Sequence, residues 1–126
     1  MKPTKKDRKK FDLDLQYGQI REDKIANMLT NKKIEVKSER GMWMKTGNIC
    51  IEYESYGKPS GIAVTEADYW FHNLCIDDHI FCTLVFEVSK LKQLIEKLDF
   101  KKSVSGGDHN ASRMWLVSIQ KLFTTD

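Results

Sequence analysis

Apolar residues recur along this chain at two different spacings, and the order in which those spacings alternate restricts it to a mixed architecture. Alternation with period two, the mark of a strand with one face turned inward, runs through KKIEVKSE, with Ile34 and Val36 on one face and Glu35, Lys37 and Glu39 on the other. It returns in NICIEYES (48–55), where Ile49, Ile51 and Tyr53 share a face. DYWFHNLC and HIFCTLVFEV read as two further strands about a turn at Asp77-Asp78, and MWLVSIQKLF as a last strand with a final helical turn. FDLDL (11–15) alternates like a short strand as well. Helical spacing is confined to two places. Ile20, Ile25, Ala26, Met28 and Leu29 suit one helical face between Gly18 and a stop at Asn31. SKLKQLIEKLD (89–99) carries a Leu91, Leu94, Ile95 and Leu98 stripe behind a capping Ser89. The sequence therefore predicts an α+β fold with a central mixed β-sheet flanked by helices.

A length of 126 residues leaves room for a single domain with one real core. At 40% hydrophobic and 31% charged residues, the composition is that of a globular chain rather than a disordered one. No apolar run approaches the ~20 residues that span a bilayer, so no membrane partner is expected, and no apolar segment of a secretory signal follows the basic start. The net charge of +3 is unevenly spread. Residues 1–10 hold six basic side chains against Asp7, a net of +5, while the remaining 15 basic and 17 acidic residues leave −2. Residues 1–10 thus read as a basic disordered arm able to contact phosphates, and 11–126 as the folded domain. Three cysteines, Cys50, Cys75 and Cys82, form an odd set that points to reduced thiols in a cytoplasm. Arg40 to Gly47 reads as a turn containing Trp43, GKPSG (57–61) as a strong turn, Thr65 as the cap of a helical turn over 66–68, and SVSGGDHNAS (103–112) as a polar loop.

Chemistry is carried first by Glu35-Val36-Lys37. Strand geometry sets that carboxylate and that ammonium on one face about 7 Å apart. Such a pair suits metal-assisted phosphodiester hydrolysis: a carboxylate holds a hard cation, and a lysine orients the attacking water or offsets charge on the phosphoryl group. A second carboxylate is needed, and Glu22 on the preceding helix is the natural supplier. Taken alone, the triplet more often marks an ordinary half-exposed strand whose charges face water.

The run KKIEVKSERGMWMKTGNICIEYESYGKPSGIAVTEADYW, preceded by the helix YGQIREDKIANML, resembles small phage-encoded members of the PD-(D/E)XK nuclease superfamily. In Holliday-junction-resolvase-like members a glycine stands four residues before the helix glutamate, as Gly18 stands before Glu22, and the family's E-x-K is matched by Glu35 and Lys37. Glu52 occupies the place of the supporting Gln or Glu on the next strand. The resemblance covers about residues 11–72. It implies a restriction-endonuclease-like core and a DNA endonuclease leaving 3′-hydroxyl and 5′-phosphate ends, with branched or junction DNA among its expected substrates. It also implies a Mg2+ cofactor replaceable by Mn2+, a homodimer, and action in the cytoplasm of a bacterial host. Catalysis would rest on Glu22, Glu35, Lys37 and Glu52, with Glu22, Glu35 and Glu52 as metal ligands. The family's aspartate on its own strand before the E-x-K has no counterpart here; Asp12, Asp14, Glu39 and Glu52 are its candidate replacements, and Glu52 is preferred because an adjacent strand can bring it to Glu35. That gap also supports an alternative: a non-catalytic phage protein that binds nucleic acid or a host factor on the same scaffold.

Other clusters carry less. His72, Cys75, His79 and Cys82 include four zinc-ligand types, yet strand parity sends His72 and Cys75 to opposite faces, so ordinary strand residues are expected. Gly106-Gly107 with Asp108, His109 and Asn110 could touch phosphate but reads as a surface loop. Trp43, beside the proposed site, could stack on an unpaired base, whereas Tyr53, Tyr56, Tyr69, Trp70 and Phe71 read as core or sheet surface.

Overall fold

A computed structural model describes Lys2, residues 4–98 and residues 102–124. The chain divides into two compact units, residues 1–32 and 33–126. The first unit is one helix, α1 (Lys5–Met28). Its start is fixed by a capping box: the Thr4 hydroxyl accepts from the Asp7 N–H, and the Asp7 carboxylate accepts from the Thr4 N–H. This corrects two expectations. Residues 5–10 are helical rather than a disordered arm, and FDLDL continues the helix instead of forming a strand. Five alternating residues cannot hold a strand when a capped helix runs into them from one side and a strong helical pattern follows on the other. The unit boundary accordingly falls after Lys32 and not after residue 10. No described residue of α1 is buried; Phe11, Leu15, Ile25 and Leu29, spaced like a heptad seam that also contains Gly18 and Glu22, are all more than half exposed.

The second unit confirms the α+β class. It runs β1 (Ile34–Arg40), α2 (Trp43–Thr46), β2 (Asn48–Ser55), β3 (Lys58–Pro59), a 3-10 turn (Gly61–Ala63), β4 (Tyr69–Ile76), β5 (His79–Glu87), α3 (Val88–Lys97), β6 (Lys102–Gly106), a second 3-10 turn (Asp108–Asn110), β7 (Ser112–Ser118) and α4 (Ile119–Thr124). The mixed sheet expected from the sequence has the order β1-β4-β5, with β1 parallel and β5 antiparallel to β4. The remaining strands form a separate antiparallel sheet, β3-β2-β7-β6. The parallel pair is pinned at its start: the Lys33 carbonyl accepts from Asp68 and Tyr69, and the Lys33 N–H donates to the Asp68 carboxylate at 2.9 Å.

The core joins both sheets to α3. Ile49 and Ile51 of β2, Trp70 of β4 and Leu91 of α3 are fully buried, with Leu74, Phe86, Ile95, Leu98 and Val117 nearly so. The predicted stripe on α3 is the one buried, but α3 starts at Val88 with Glu87 as its cap, so Ser89 lies inside the helix. Its predicted end, Asp99, lies outside the described residues. Thr65 caps no helix; its hydroxyl accepts from the Ala67 N–H in a turn of its own. SVSGGDHNAS, expected as a loop, supplies most of β6 and the second 3-10 turn, where His109 and Asn110 take left-handed backbone angles.

Candidate active site

The pleat of β1 decides where its charges go. Val36 is 55% exposed, whereas Glu35, Lys37 and Glu39 are half-buried. The charged face is therefore the enclosed one, the reverse of a strand whose charges face water. In register, Glu35 lies beside Trp70, Lys37 beside His72 and Glu39 beside Leu74, so the three charges rim an inner face that is otherwise core. Burying charges costs free energy unless partners receive them, which makes this placement informative.

The partners are found in a cavity of about 340 Å³ whose lining includes Lys37, Glu39, Cys50, Glu52, Trp70 and His72. Glu39 is its anchor. Oε1 of Glu39 accepts from the Cys50 backbone N–H at 2.5 Å and lies 3.0 Å from His72 Nε2. Cys50 lies on the edge of β2 away from β7, so the Glu39 carboxylate stands where a neighbouring strand's carbonyl would otherwise be, and ties the two sheets together. On the other side of the imidazole, Trp70 Nε1 donates to His72 Nδ1 at 3.0 Å. Indole nitrogen can only donate, so Nδ1 is the acceptor and the proton of a neutral imidazole sits on Nε2, pointing at Glu39. Trp70, His72, Glu39 and the Cys50 amide thus form one directed chain of donors and acceptors. Burial pushes the Cys50 thiol up, and the Glu39 charge adds to the shift.

Glu52 is held from the opposite wall. β2 carries a bulge at Tyr53, since Glu52 pairs with Met114 and Glu54 with Arg113. Ile49 and Ile51 turn into the core, while Cys50 and Glu52 turn to the cavity. The Ser60 hydroxyl donates to Glu52 Oε2 at 3.0 Å. Ser60 can reach because the following turn presses on β2: Gly61 has φ +52°, and a Cβ there would stand 2.2 Å from the Glu52 carbonyl oxygen. The PSG of the GKPSG turn is thus a seat for Glu52, with glycine required by both conformation and space. Lys37 makes no ion pair among the described residues, and its ammonium lies 6.0 Å from the Trp70 ring centroid.

Of the four predicted site residues, the fold brings Lys37 and Glu52 to one cavity. Glu35 lies one pleat before Lys37 on the same face but does not line the cavity. Glu22 is an exposed residue of α1, in the other unit. Among the described residues, no three His, Cys, Asp or Glu side chains are grouped to hold an ion. Glu39 and His72 belong to the cavity although reading by local pattern assigns them only minor parts. The signal for Glu39 is its period-two spacing from Glu35 and Lys37; for His72, it is its spacing from Trp70. Of the proposed zinc set, His72 is buried here while His79 and Cys82 are exposed on β5. Trp43 does not line the cavity: its Nε1 donates to the Cys75 carbonyl at 2.8 Å and its ring stacks on Phe81 at 5.9 Å, pinning α2 to the hairpin.

No protein-family model, curated protein or solved structure matches this chain.

Proposed function

We propose that this protein is a Mg2+-dependent endonuclease that hydrolyses phosphodiester bonds in DNA, branched DNA among its substrates, and that the cavity between β1 and β2 is its active site. The observation that carries this reading is the enclosure of Lys37 with two carboxylates, Glu39 and Glu52, in one cavity. The donor set fits the ion: hard cations take oxygen ligands, and Mg2+ commonly uses one or two carboxylates together with substrate phosphate and water. Glu52 would hold it with Glu39, whose Oε1 is already fixed by two donors. Glu35 lies on the same strand face as Lys37 but outside the cavity lining. When bound, the ion supplies Lewis-acid polarisation of the phosphate and a more acidic water. Lys37 would orient the attacking water and offset the charge that grows on the phosphoryl oxygens, a role favoured by its lack of an ion-pair partner among the described residues. His72 holds the Glu39 carboxylate in place by donating from Nε2.

The second reading, a non-catalytic phage protein that binds nucleic acid or a host factor, is favoured by the placement of Glu22 and Glu35 outside the cavity lining. A Mn2+ titration followed by calorimetry separates the two. The nuclease reading expects saturable binding that Glu52→Gln abolishes; a binder shows no difference between the two proteins.

A further inference from the structure

The four-stranded sheet carries a second cluster on the face turned away from the cavity. Glu52 and Met114 point to the cavity, so Arg113 and Trp115, their alternating neighbours on β7, point the other way. Arg113 spreads its guanidinium toward β6, where Nη1 donates to Ser105 Oγ at 3.0 Å and Nη2 to Ser103 Oγ at 2.9 Å. The Tyr53 hydroxyl lies 2.7 Å from the same Ser103 Oγ. Tyr53 is the extra residue of the β2 bulge, and it reaches that far by lying on Trp115, ring centroids 4.3 Å apart.

The proton count in this cluster is one-sided. A guanidinium only donates, so both serine oxygens are used as acceptors and the Ser105 proton is free to point outward. The Ser103–Tyr53 contact consumes one hydroxyl proton whichever way it runs, which leaves the other free. Two hydroxyl protons and the unused guanidinium N–H groups are therefore on offer, around a full positive charge. Arg113 makes no ion pair among the described residues; Glu54, opposite it in register, is not within ion-pair distance. The Tyr53 hydroxyl is held below the usual phenol range, first by its bond to Ser103 and then by Arg113, while burial and the Glu54 charge act in the opposite sense. Next to the cluster, and sharing Tyr53 with it, is a hollow of about 320 Å³ lined by Tyr53, Trp115, Ile62, Ala63, Lys92 and Ile95, with Glu96 completing it.

We infer that Arg113, Ser103, Ser105 and Tyr53 bind a phosphodiester of a single nucleic-acid strand, and that the adjoining aromatic-lined hollow receives a base of that strand. Oxyanions are the ligands that outward donors around an unpaired guanidinium select, and a base beside a phosphate is what an aromatic surface next to such a clamp selects. The inference rests on the reading of this protein as acting on nucleic acid, but not on its hydrolytic site, because the two lie on opposite faces of one sheet.

The test is anisotropy of a labelled oligothymidylate of about twelve nucleotides, titrated in EDTA so that metal-dependent hydrolysis plays no part. Arg113→Gln is expected to weaken binding roughly tenfold or more, the worth of a charged hydrogen-bonded contact. It should also reduce the slope of log K against log salt by about 0.7, one phosphate contact on a single strand. Arg113→Lys should fall between, and Ser105→Ala, which leaves the charge and the fold in place, should weaken binding less than Arg113→Gln. Unchanged affinity and slope in both Arg113→Gln and Ser105→Ala overturn the inference. So does inorganic phosphate that displaces the strand at the strand's own concentration, because the site then belongs to a free anion. Lys37→Ala in the same titration keeps the Arg113-dependent part, so loss of cleavage and loss of this site are read separately.

Discussion

Glu39 shows how one side chain can serve structure and chemistry together. A single oxygen satisfies a strand-edge amide and a buried imidazole, which offsets the cost of a carboxylate side chain that is only 16% exposed. Glu39→Ala leaves the Cys50 N–H and the His72 Nε2–H without acceptors. A loss of about 2–4 kcal/mol is expected, measurable as a lower urea midpoint, whereas Glu39→Gln keeps an acceptor oxygen and should lose clearly less stability. Equal losses in the two variants would mean that Glu39 acts through its charge and not through these two bonds. Some of this was readable beforehand and some was not. Period two was enough to place Glu35, Lys37 and Glu39 on one face and Cys50 with Glu52 on another. Which face would be enclosed was not readable, because the apolar pair Ile34 and Val36 argues for the opposite answer. His72 was hidden for a related reason: its role depends on a strand 33 residues earlier in the chain, and no local spacing reports that contact.

At the scale of elements, the strands from Ile34 onward and the stripe on α3 follow from local pattern, and they lie where the pattern puts them. The chief exception is the amino-terminal segment, where the capping box overrides five alternating residues. That box is sensitive to acid. Two bonds to Thr4 hold the Asp7 carboxyl below its ordinary range. A depressed carboxylate contributes above its unfolded value and stops contributing as pH falls through the folded one. Acidification should therefore fray the first turn of α1, seen as a shift of the amide resonances of residues 5–8 toward random-coil positions, while Thr4→Ala shows frayed positions already at neutral pH. Amide resonances that ignore acid in this range would contradict the capping box. β6 is the second exception: a serine- and glycine-rich stretch has little strand propensity, and it becomes a strand because β7 offers a partner in register from Ser112 to Leu116.

For the whole molecule, the division into two sheets gives the site its form. One central sheet was expected; the strands instead form a mixed sheet and an antiparallel one, joined by the Glu39 contact at facing strand edges. The cavity opens beside that contact, so the feature that stitches the sheets also furnishes a carboxylate next to Lys37 and Glu52. Glu22 shares the α1 face of Phe11, Leu15, Ile25 and Leu29, all exposed, so any surface that covers this apolar seam will also meet a carboxylate. The most direct measurement is the single-turnover cleavage rate of labelled linear and four-way branched DNA in Mg2+, compared with EDTA, for the unaltered protein and for Lys37→Ala. The expected result is Mg2+-dependent cleavage, abolished by EDTA and slowed by about 10²–10⁴-fold in Lys37→Ala; metal-dependent cleavage that survives undiminished in Lys37→Ala would contradict the active site described above.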